Sequence, residues 1–282
     1  MTPGRLILET QAAPQPRPPD AVFVFKLLYA DFDCTVIHPM NISDAGFRLE
    51  TRIALPGNEV HLWRVDLAAV AKAEARWEQI LSADERARAA RFHFARDRQY
   101  FTATRAVLRM ILASYADSDP KELVFRYSDK EKPSLNPAPC GRQVEFNVSH
   151  SGDVALLAFA QGRALGVDVE KVREDFDHEA IARRFFSVQE QRQLATLAPA
   201  ERYAGFFRCW TRKESYIKAQ GTGLSLPLNQ FDVSLRPGDG NALLSTRPDR
   251  SEAAHWSLQE VPAGDGYVAA LCVRGDGWRL KF

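Results

Sequence analysis

The chain has 282 residues, of which 45% are hydrophobic and 26% are charged, and its formal net charge is +1 at pH 7. This composition is typical of a globular protein long enough to bury a large core, and it argues against a wholly disordered chain. A net charge so close to zero gives no general basic field, so we expect neither nucleic acid nor an anionic membrane as a partner.

The cysteines are widely separated and form neither a Cys-x-x-Cys pair nor a zinc-type spacing with histidine. Free thiols in a reducing compartment are the simplest interpretation of this pattern. The most apolar run near the N-terminus, residues 22–30, contains Lys26 and is too short to cross a bilayer. No small-residue cleavage site after a basic start marks it as a signal peptide. We therefore expect a cytoplasmic protein.

Residues 1–58 are predicted to form an N-terminal extension that is rich in proline and partly flexible. An apolar segment within it ends in Asp31-Phe32-Asp33-Cys34-Thr35, which looks like the nucleophile motif of haloacid-dehalogenase-type phosphatases. In that motif one aspartate attacks phosphorus and the other is the acid and base, and both lie near Mg²⁺. Cys34 stands where such motifs normally carry glycine, so the match is incomplete.

Residues 59–116 predict a strand and two helices. Apolar and polar residues alternate over residues 59–67, which is the pattern of a half-buried strand. Ser82 and Glu85 have the spacing of a capping box, which opens an arginine-rich helix that runs to about residue 94. The residues after it carry a helical apolar face up to Ala116, which we expect to lie in the core.

Four strands are predicted next, with a polar loop after the first. The strand that follows a hairpin near Gly162 carries Asp168 and Glu170. Their side chains point to the same face, because side chains alternate along a strand. The other three strands are predicted at residues 123–127, 144–150 and 154–160, the last of them fully buried because it is continuously apolar.

A second capping box and a long helix follow, the latter predicted over residues 200–219. In this helix Trp210, Glu214 and Lys218 are spaced at i, i+4 and i+8 and therefore share one side. Glu214 is thus a third carboxylate, after Asp168 and Glu170, that is a candidate ligand of one hard cation. The capping box is Ser187 with Glu190, and further strands are predicted at residues 226–228, 231–235, 256–261 and 267–273.

Three motifs in this order resemble the Sfp-type 4′-phosphopantetheinyl transferases. They are Asn-Val-Ser-His-Ser-Gly at residues 147–152, Gly-Val-Asp-Val-Glu-Lys at 166–171 and Trp-x-x-Lys-Glu-Ser-x-x-Lys-x-x-Gly-x-Gly-Leu at 210–224. The resemblance covers the chain from about residue 62 onward. It implies an α+β fold of two similar subdomains, related by a pseudo-two-fold axis, with the active site in the cleft between them. The corresponding boundaries are 59–152 and 153–282.

The resemblance also implies a reaction. Such an enzyme moves the 4′-phosphopantetheine group from coenzyme A to a serine of an apo acyl or peptidyl carrier protein, depends on Mg²⁺, and releases adenosine 3′,5′-bisphosphate. Members of this branch are usually monomers. The implied metal ligands are Asp168, Glu170 and Glu214, and the implied catalytic residues are Glu214, Lys218 and Asp168.

Coenzyme A binding is implied for residues of several segments. Arg88 would contact the 3′-phosphate, as would His150, and Ser149 would be a further phosphate ligand. The loop around Glu131, which stands where the family has glycine, would line the adenine and ribose. The full set implied by the resemblance is Arg88, Lys130, Lys132, Pro133, Ser149, His150, Lys213 and Lys218, with the last two lysines at the pyrophosphate.

Two other functions stay open on the sequence. One is a metal-dependent phosphatase that uses Asp31 and Asp33, although the rest of that fold would need residues that already belong to the three motifs. The other is a non-catalytic protein that binds coenzyme A and modifies no carrier. A mass gain of one phosphopantetheine on an apo carrier mixed with the protein, coenzyme A and Mg²⁺ would exclude the non-catalytic protein. Hydrolysis of a generic phosphoester that survives Glu214→Ala but is lost in Asp31→Ala would favour the phosphatase.

Overall fold

The computed structural model describes residues 41–44, 46–47, 49, 52–128, 132–135 and 143–282. All of them belong to one compact unit. Asp31, Asp33 and Lys130 lie outside the described residues, so the predictions made for these three residues stay predictions.

Helices and strands mix along the whole described chain. The helices are α1 (Leu67–Val70), α2 (Glu74–Glu78), α3 (Ala83–Ala89), α4 (Ala95–Ala116), α5 (His178–Phe185), α6 (Val188–Thr196) and α7 (Arg202–Gln220). The strands are β1 (Asn41–Ile42), β2 (Glu59–Asp66), β3 (Phe125–Tyr127), β4 (Pro133–Leu135), β5 (Val144–Ser151), β6 (Val154–Gln161), β7 (Leu165–Lys171), β8 (Phe231–Val233), β9 (Leu243–Thr246), β10 (Trp256–Glu260), β11 (Tyr267–Arg274) and β12 (Arg279–Lys281). The predicted mixed α and β fold is confirmed.

A five-stranded sheet carries the first long helix. Its order is β1-β2-β6-β5, and β12 also pairs with β2. Strands β2, β6 and β5 are antiparallel neighbours. One face of this sheet, including Trp63 and Phe159, joins α4 residues such as Val107 and Ile111 in one buried cluster. The apolar stripe predicted for this helix therefore lies in the core, as expected.

A three-stranded antiparallel sheet carries the second long helix. Its order is β10-β11-β7. Ile217 of α7 and Cys272 of β11 belong to one buried cluster on this side. A third cluster lies between the sheets, where Leu156 of β6 meets Val167 and Val169 of β7. Because side chains alternate along β7, the residue after each of these valines points to the opposite face, toward α7. These two residues are Asp168 and Glu170.

The sequence-based predictions of the longer elements mostly hold. Both capping boxes are present. The strand predicted at residues 226–228 is wrong: Leu228 begins a single 3-10 turn instead, and Pro227 cannot donate a ladder hydrogen bond. The helix opened by Ser82 ends at Ala89 and does not reach residue 94. Several short elements were not predicted, namely α1, α2, α5, β1, β4, β9 and β12.

Part of the predicted extension packs on the body of the protein. Strand β1 pairs in parallel with β2, and Ile42 and Leu55 are buried in the first core cluster. The division into 1–58, 59–152 and 153–282 stays a prediction. None of the helices in the described part of the chain is both long enough and apolar enough to cross a membrane.

Candidate active site

Strand β7 and helix α7 touch at a glycine. A Cβ atom at Gly166 would lie 2.2 Å from the Ser215 carbonyl oxygen and 2.4 Å from the Ala219 nitrogen. Real Cβ atoms do not approach backbone atoms so closely, so only glycine fits at this position. The glycine that opens the second motif therefore brings α7 directly against the strand that carries Asp168. Glu214 and Lys218 come to the two β7 carboxylates by this contact.

Asp168 and Lys218 form a buried ion pair. The Lys218 ammonium lies 2.5 Å from Asp168 Oδ1, and it also donates to Ser149 Oγ at 3.1 Å. Asp168 is 3% exposed, and its Oδ2 is buried with no hydrogen-bond partner within the described residues. Burial lowers the pKa of Lys218, but the carboxylates of Asp168 and Glu214 raise it more, so the net pKa lies above its ordinary value. The lysine is therefore charged at neutral pH.

Glu170 and Glu214 are the other two carboxyl groups of this cluster. Glu170 Oε2 accepts a 2.7 Å hydrogen bond from Ser151 Oγ. Burial and the nearby Asp168 charge raise the pKa of Glu170 to about 7. Burial also raises the pKa of Glu214 to about 7, with Asp168 adding to the shift and Lys218 opposing it. Two carboxyl groups that are hard to ionise beside a charged aspartate form a site with an excess of negative potential.

The oxygen-only donor set of these carboxylates fits a hard divalent cation such as Mg²⁺. The buried, unpartnered Asp168 Oδ2 is the observation that favours such a ligand. Across the described residues, however, no three His, Cys, Asp or Glu side chains are grouped closely enough to hold a metal ion as they stand. Lys218 occupies the other oxygen of Asp168 in this arrangement.

The Ser149 hydroxyl is used within the protein, and its predicted contact with a phosphate stays a prediction. Its hydroxyl hydrogen goes to Asp168 Oδ1 at 2.8 Å. Its oxygen accepts from Lys218 Nζ and from the Val169 N–H. A hydroxyl has one hydrogen and two lone pairs, so all three are used within the protein. The side chain is also buried, at 7% exposure.

The structure corrects the prediction made for Lys213. Its ammonium is completely buried and lies 2.7 Å from Glu190 Oε1, whose side chain is equally buried. It also donates to the carbonyl oxygens of Leu228 and Phe231 at 2.7 and 2.8 Å. All three donors are thus used inside the C-terminal core. Lys213 connects α6, α7 and β8 and does not face a pyrophosphate.

Lys132 also bonds inward. Its ammonium donates to the carbonyl oxygens of Leu165 and Lys218, at 3.2 and 2.9 Å, and burial lowers its pKa. It therefore ties the start of β7 to the last turn of α7. The ammonium has a third donor, and the prediction that this side chain lines the adenine and ribose stays a prediction. Pro133 begins β4 and is half-buried, and its predicted contact with coenzyme A stays a prediction.

Arg88 and His150 are both on the surface. Arg88 is exposed on α3, with its guanidinium 5.5 Å from the centre of the Phe101 ring. His150 is exposed on β5, next to the turn into β6. Both are accessible to a ligand, and their predicted contacts with the 3′-phosphate stay predictions.

Asp153, which directly follows the first motif, was not predicted to have a role. Asp153 lies in the β5–β6 turn and accepts hydrogen bonds from Arg96 and Tyr100 of α4, both at 2.6 Å. The Tyr267 hydroxyl accepts the Asp153 N–H at 3.0 Å. This turn therefore connects α4, β5 and β11 beside the carboxylate cluster. Ser151, the last residue of β5, was also given no role.

Comparison with known proteins points the same way as the motifs. A family model described as the 4′-phosphopantetheinyl transferase superfamily matches residues 164–272. A second, described as 4′-phosphopantetheinyl transferase, N-terminal, matches residues 71–162. Together the two matched regions take in Asp168, Glu170, Glu214 and Lys218, and also the β5 serines.

Individual relatives match over most of their length. The chain is 39% identical to the 4′-phosphopantetheinyl transferase HetI of a Nostoc species over 230 residues, which is 82% of this chain and 94% of that protein. It is 30% identical to the 4′-phosphopantetheinyl transferase Sfp of Bacillus subtilis over 197 residues, or 70% and 84% of the two chains. A holo-[acyl-carrier-protein] synthase from Thermotoga maritima superposes on 40% of this chain and 63% of its own, with 22% identity and a TM-score of 0.31.

Proposed function

Because the chain belongs to the 4′-phosphopantetheinyl transferase superfamily, we propose that the cluster of Asp168, Glu170, Glu214 and Lys218 is where it transfers phosphopantetheine from coenzyme A to a carrier protein. The observation that carries this proposal is the 2.5 Å contact between Asp168 and Lys218, which are 50 positions apart in sequence. Both lie in motifs that characterise the family.

The reaction joins a carrier serine oxygen to the phosphorus that bears the pantetheine. The P–O bond to the adenosine 3′,5′-bisphosphate breaks, and the serine gives up its proton. Glu214 is our candidate to take that proton, directly or through a water molecule, because it is the carboxyl group that α7 brings beside Asp168 and Lys218. Lys218 stays charged and so stabilises negative charge on the departing phosphate.

Asp168, Glu170 and Glu214 would hold Mg²⁺. When bound, the ion would neutralise charge on the pyrophosphate, which is the usual contribution of a metal to phosphoryl transfer. The chain's own part is to place three oxygen-bearing side chains and one ammonium on facing surfaces of β7 and α7. Phosphoryl transfer depends mainly on such positioning.

We also propose the subdomain organisation that the motifs imply. Helix α4 packs on the sheet that contains β2, β6 and β5, and α7 packs on the sheet of β7, β11 and β10. One long helix packed on each sheet supports two similar subdomains related by a pseudo-two-fold axis, with the active site in the cleft between them. The monomeric state and the cytoplasmic location stay predictions.

A mass measurement tests the function. Purified protein is mixed with coenzyme A, Mg²⁺ and an apo carrier, and the carrier is weighed by mass spectrometry. We expect it to gain one phosphopantetheine. Binding of coenzyme A without any gain on a panel of fatty-acid, polyketide and peptide-synthetase carriers would favour the non-catalytic alternative. Hydrolysis of a simple phosphoester that depends on Asp31 would favour the phosphatase.

A further inference from the structure

Strand β5 carries a polar side chain at every second position along the face that meets β7. Within the described chain, β5 lies at one edge of the five-stranded sheet and β7 at one edge of the other. The two edges are joined by side chains instead of by backbone hydrogen bonds: polar side chains of β5 accept hydrogen bonds from every second backbone N–H of β7. We call Asn147, Ser149 and Ser151 the side-chain ladder; they accept from Val167, Val169 and Lys171 at 2.9, 3.4 and 3.1 Å.

Both serines of the ladder make a second bond in the same pattern. Each donates its hydroxyl hydrogen to the carboxylate that immediately precedes the amide it accepts from. Ser149 donates to Asp168 at 2.8 Å, and Ser151 donates to Glu170 at 2.7 Å. The third position differs, because the residue before the accepted amide there is glycine, and the ladder residue is asparagine. Serine thus occurs at the two positions that face a carboxylate.

We propose that Ser151 is a positioning residue that orients Glu170 toward the divalent cation, an inference that rests on the proposed function. The amide of Lys171 fixes the hydroxyl by using one of its lone pairs, which directs its single hydrogen at Glu170 Oε2. A glutamate side chain otherwise loses much rotamer freedom when it binds an ion. Ser151 removes part of that freedom in advance, and the loss of such a partner typically costs 10–100-fold in metal affinity.

Ser151 is a better test than Ser149. Ser149 also accepts from Lys218, so changing it would disturb the ammonium and Asp168 together. Asn147 provides the matched control, because it makes a ladder bond between the same two strands but contacts no carboxylate. A change at Asn147 removes one hydrogen bond between β5 and β7 but leaves the hydrogen bond from Ser151 to Glu170 intact.

The experiment titrates Mg²⁺ into metal-stripped, full-length protein in the presence of coenzyme A, followed by calorimetry. We expect Ser151→Ala to weaken Mg²⁺ binding by about tenfold, and Ser151→Thr, which keeps the hydroxyl, to stay close to wild type. Asn147→Ala should lower the thermal unfolding midpoint, because it leaves a buried amide without an acceptor. Its Mg²⁺ affinity should stay within about twofold of wild type, since the Ser151 bond is intact.

Three results would overturn the inference: unchanged Mg²⁺ affinity in Ser151→Ala, an equal loss in Asn147→Ala, or no Mg²⁺ binding by the wild type. The second result would mean that the joint as a whole, and not the hydroxyl, positions the carboxylate. A wild type that binds Mg²⁺ but modifies no carrier would contradict the proposed function and leave the role of Ser151 in metal binding intact. The two failures are therefore distinguishable.

Discussion

At the scale of single residues, the site is defined by charge that the protein concentrates in a buried place. Asp168 is almost fully buried, and its charge is shared between Lys218 and Ser149. Glu170 and Glu214 have pKa values raised to about 7 because burial and their neighbours oppose ionisation. Without a bound cation, such a cluster lowers the stability of the folded chain. A bound cation would offset that cost, and perturbed pKa values of this kind are common at functional sites.

The first prediction concerns the pH dependence of stability without metal. Glu214 ionises near pH 7 when folded and near pH 4.5 when unfolded, so between these values the folded state holds an extra proton. The free energy of unfolding therefore falls as pH rises through this window. Glu214→Gln does not lose stability in this way, because glutamine does not ionise. We expect the stability difference between the variant and the wild type to grow in the variant's favour from pH 5 to pH 7.5.

Urea unfolding in the presence of EDTA measures this difference at each pH. Groups remote from the cluster, such as the buried His61, are common to both proteins and cancel in the comparison. Glu170 does not cancel: the Glu214 charge helps to raise its pKa, so the variant lowers that pKa and adds to the expected difference in the same direction. A difference that stays constant from pH 5 to pH 7.5 would contradict the proposed environment of Glu214.

The second prediction concerns Lys213. Its replacement by methionine leaves the Glu190 charge buried without its ammonium, which typically costs about 3–5 kcal/mol of unfolding free energy. The double variant Lys213→Met, Glu190→Leu should recover part of that loss, since no unpaired charge is left. Coenzyme A affinity of the folded double variant, measured by calorimetry, should stay near wild type. A stable Lys213→Met protein that has lost coenzyme A binding would restore the role first predicted for this lysine.

At the scale of elements, the contact between β7 and α7 determines the site. The period-two alternation of β7 and the 3.6-residue repeat of α7 place the carboxylates and Lys218 on facing surfaces. Because Gly166 has no side chain, β7 and α7 can pack closely. Lys132 hydrogen-bonds to the start of β7 and to the last turn of α7 and so connects the two elements.

The third prediction tests this contact with Gly166→Ala. The added methyl would meet the α7 backbone, which cannot move aside as a flexible side chain can. Overpacking typically costs about 1–3 kcal/mol, and we expect a loss at or above the upper end, with turnover reduced at least tenfold as α7 shifts. Gly57→Ala is the matched control, because a Cβ there meets nothing within 4 Å. Thermal unfolding and carrier modification are the measurements, and wild-type values for Gly166→Ala would refute the close contact.

Local patterns in the sequence predicted these elements well and their side-chain partners less well. The capping boxes and the alternation of β7 depend on neighbouring residues, and the structure confirms them. Ser149, Lys132 and Lys213 were assigned to coenzyme A by the resemblance to the family. In the structure they bond to carboxylates and carbonyl groups remote in sequence. No local pattern contains that information; the period-two run of Asn147, Ser149 and Ser151 is the one signal that could have pointed to the polar face of β5.

At the scale of the whole molecule, the chain is a 4′-phosphopantetheinyl transferase whose two sheets meet along one line. The side-chain ladder joins β5 to β7 along that line, and a buried apolar cluster lies between the sheet faces. The carboxylates lie on the opposite side of β7 from this cluster, toward α7. Strand β7, which contacts the other sheet through the side-chain ladder, therefore also carries two of the residues that we propose for the active site, Asp168 and Glu170.

The carrier-modification rate of Asp168→Asn tests the central claim most directly. The variant keeps the shape of the side chain but removes the charge that pairs with Lys218 and is proposed to bind the ion. The account predicts that phosphopantetheine transfer to an apo carrier, followed by mass spectrometry, falls at least 100-fold while coenzyme A still binds and the protein remains folded by circular dichroism. Transfer by Asp168→Asn at close to the wild-type rate would contradict it.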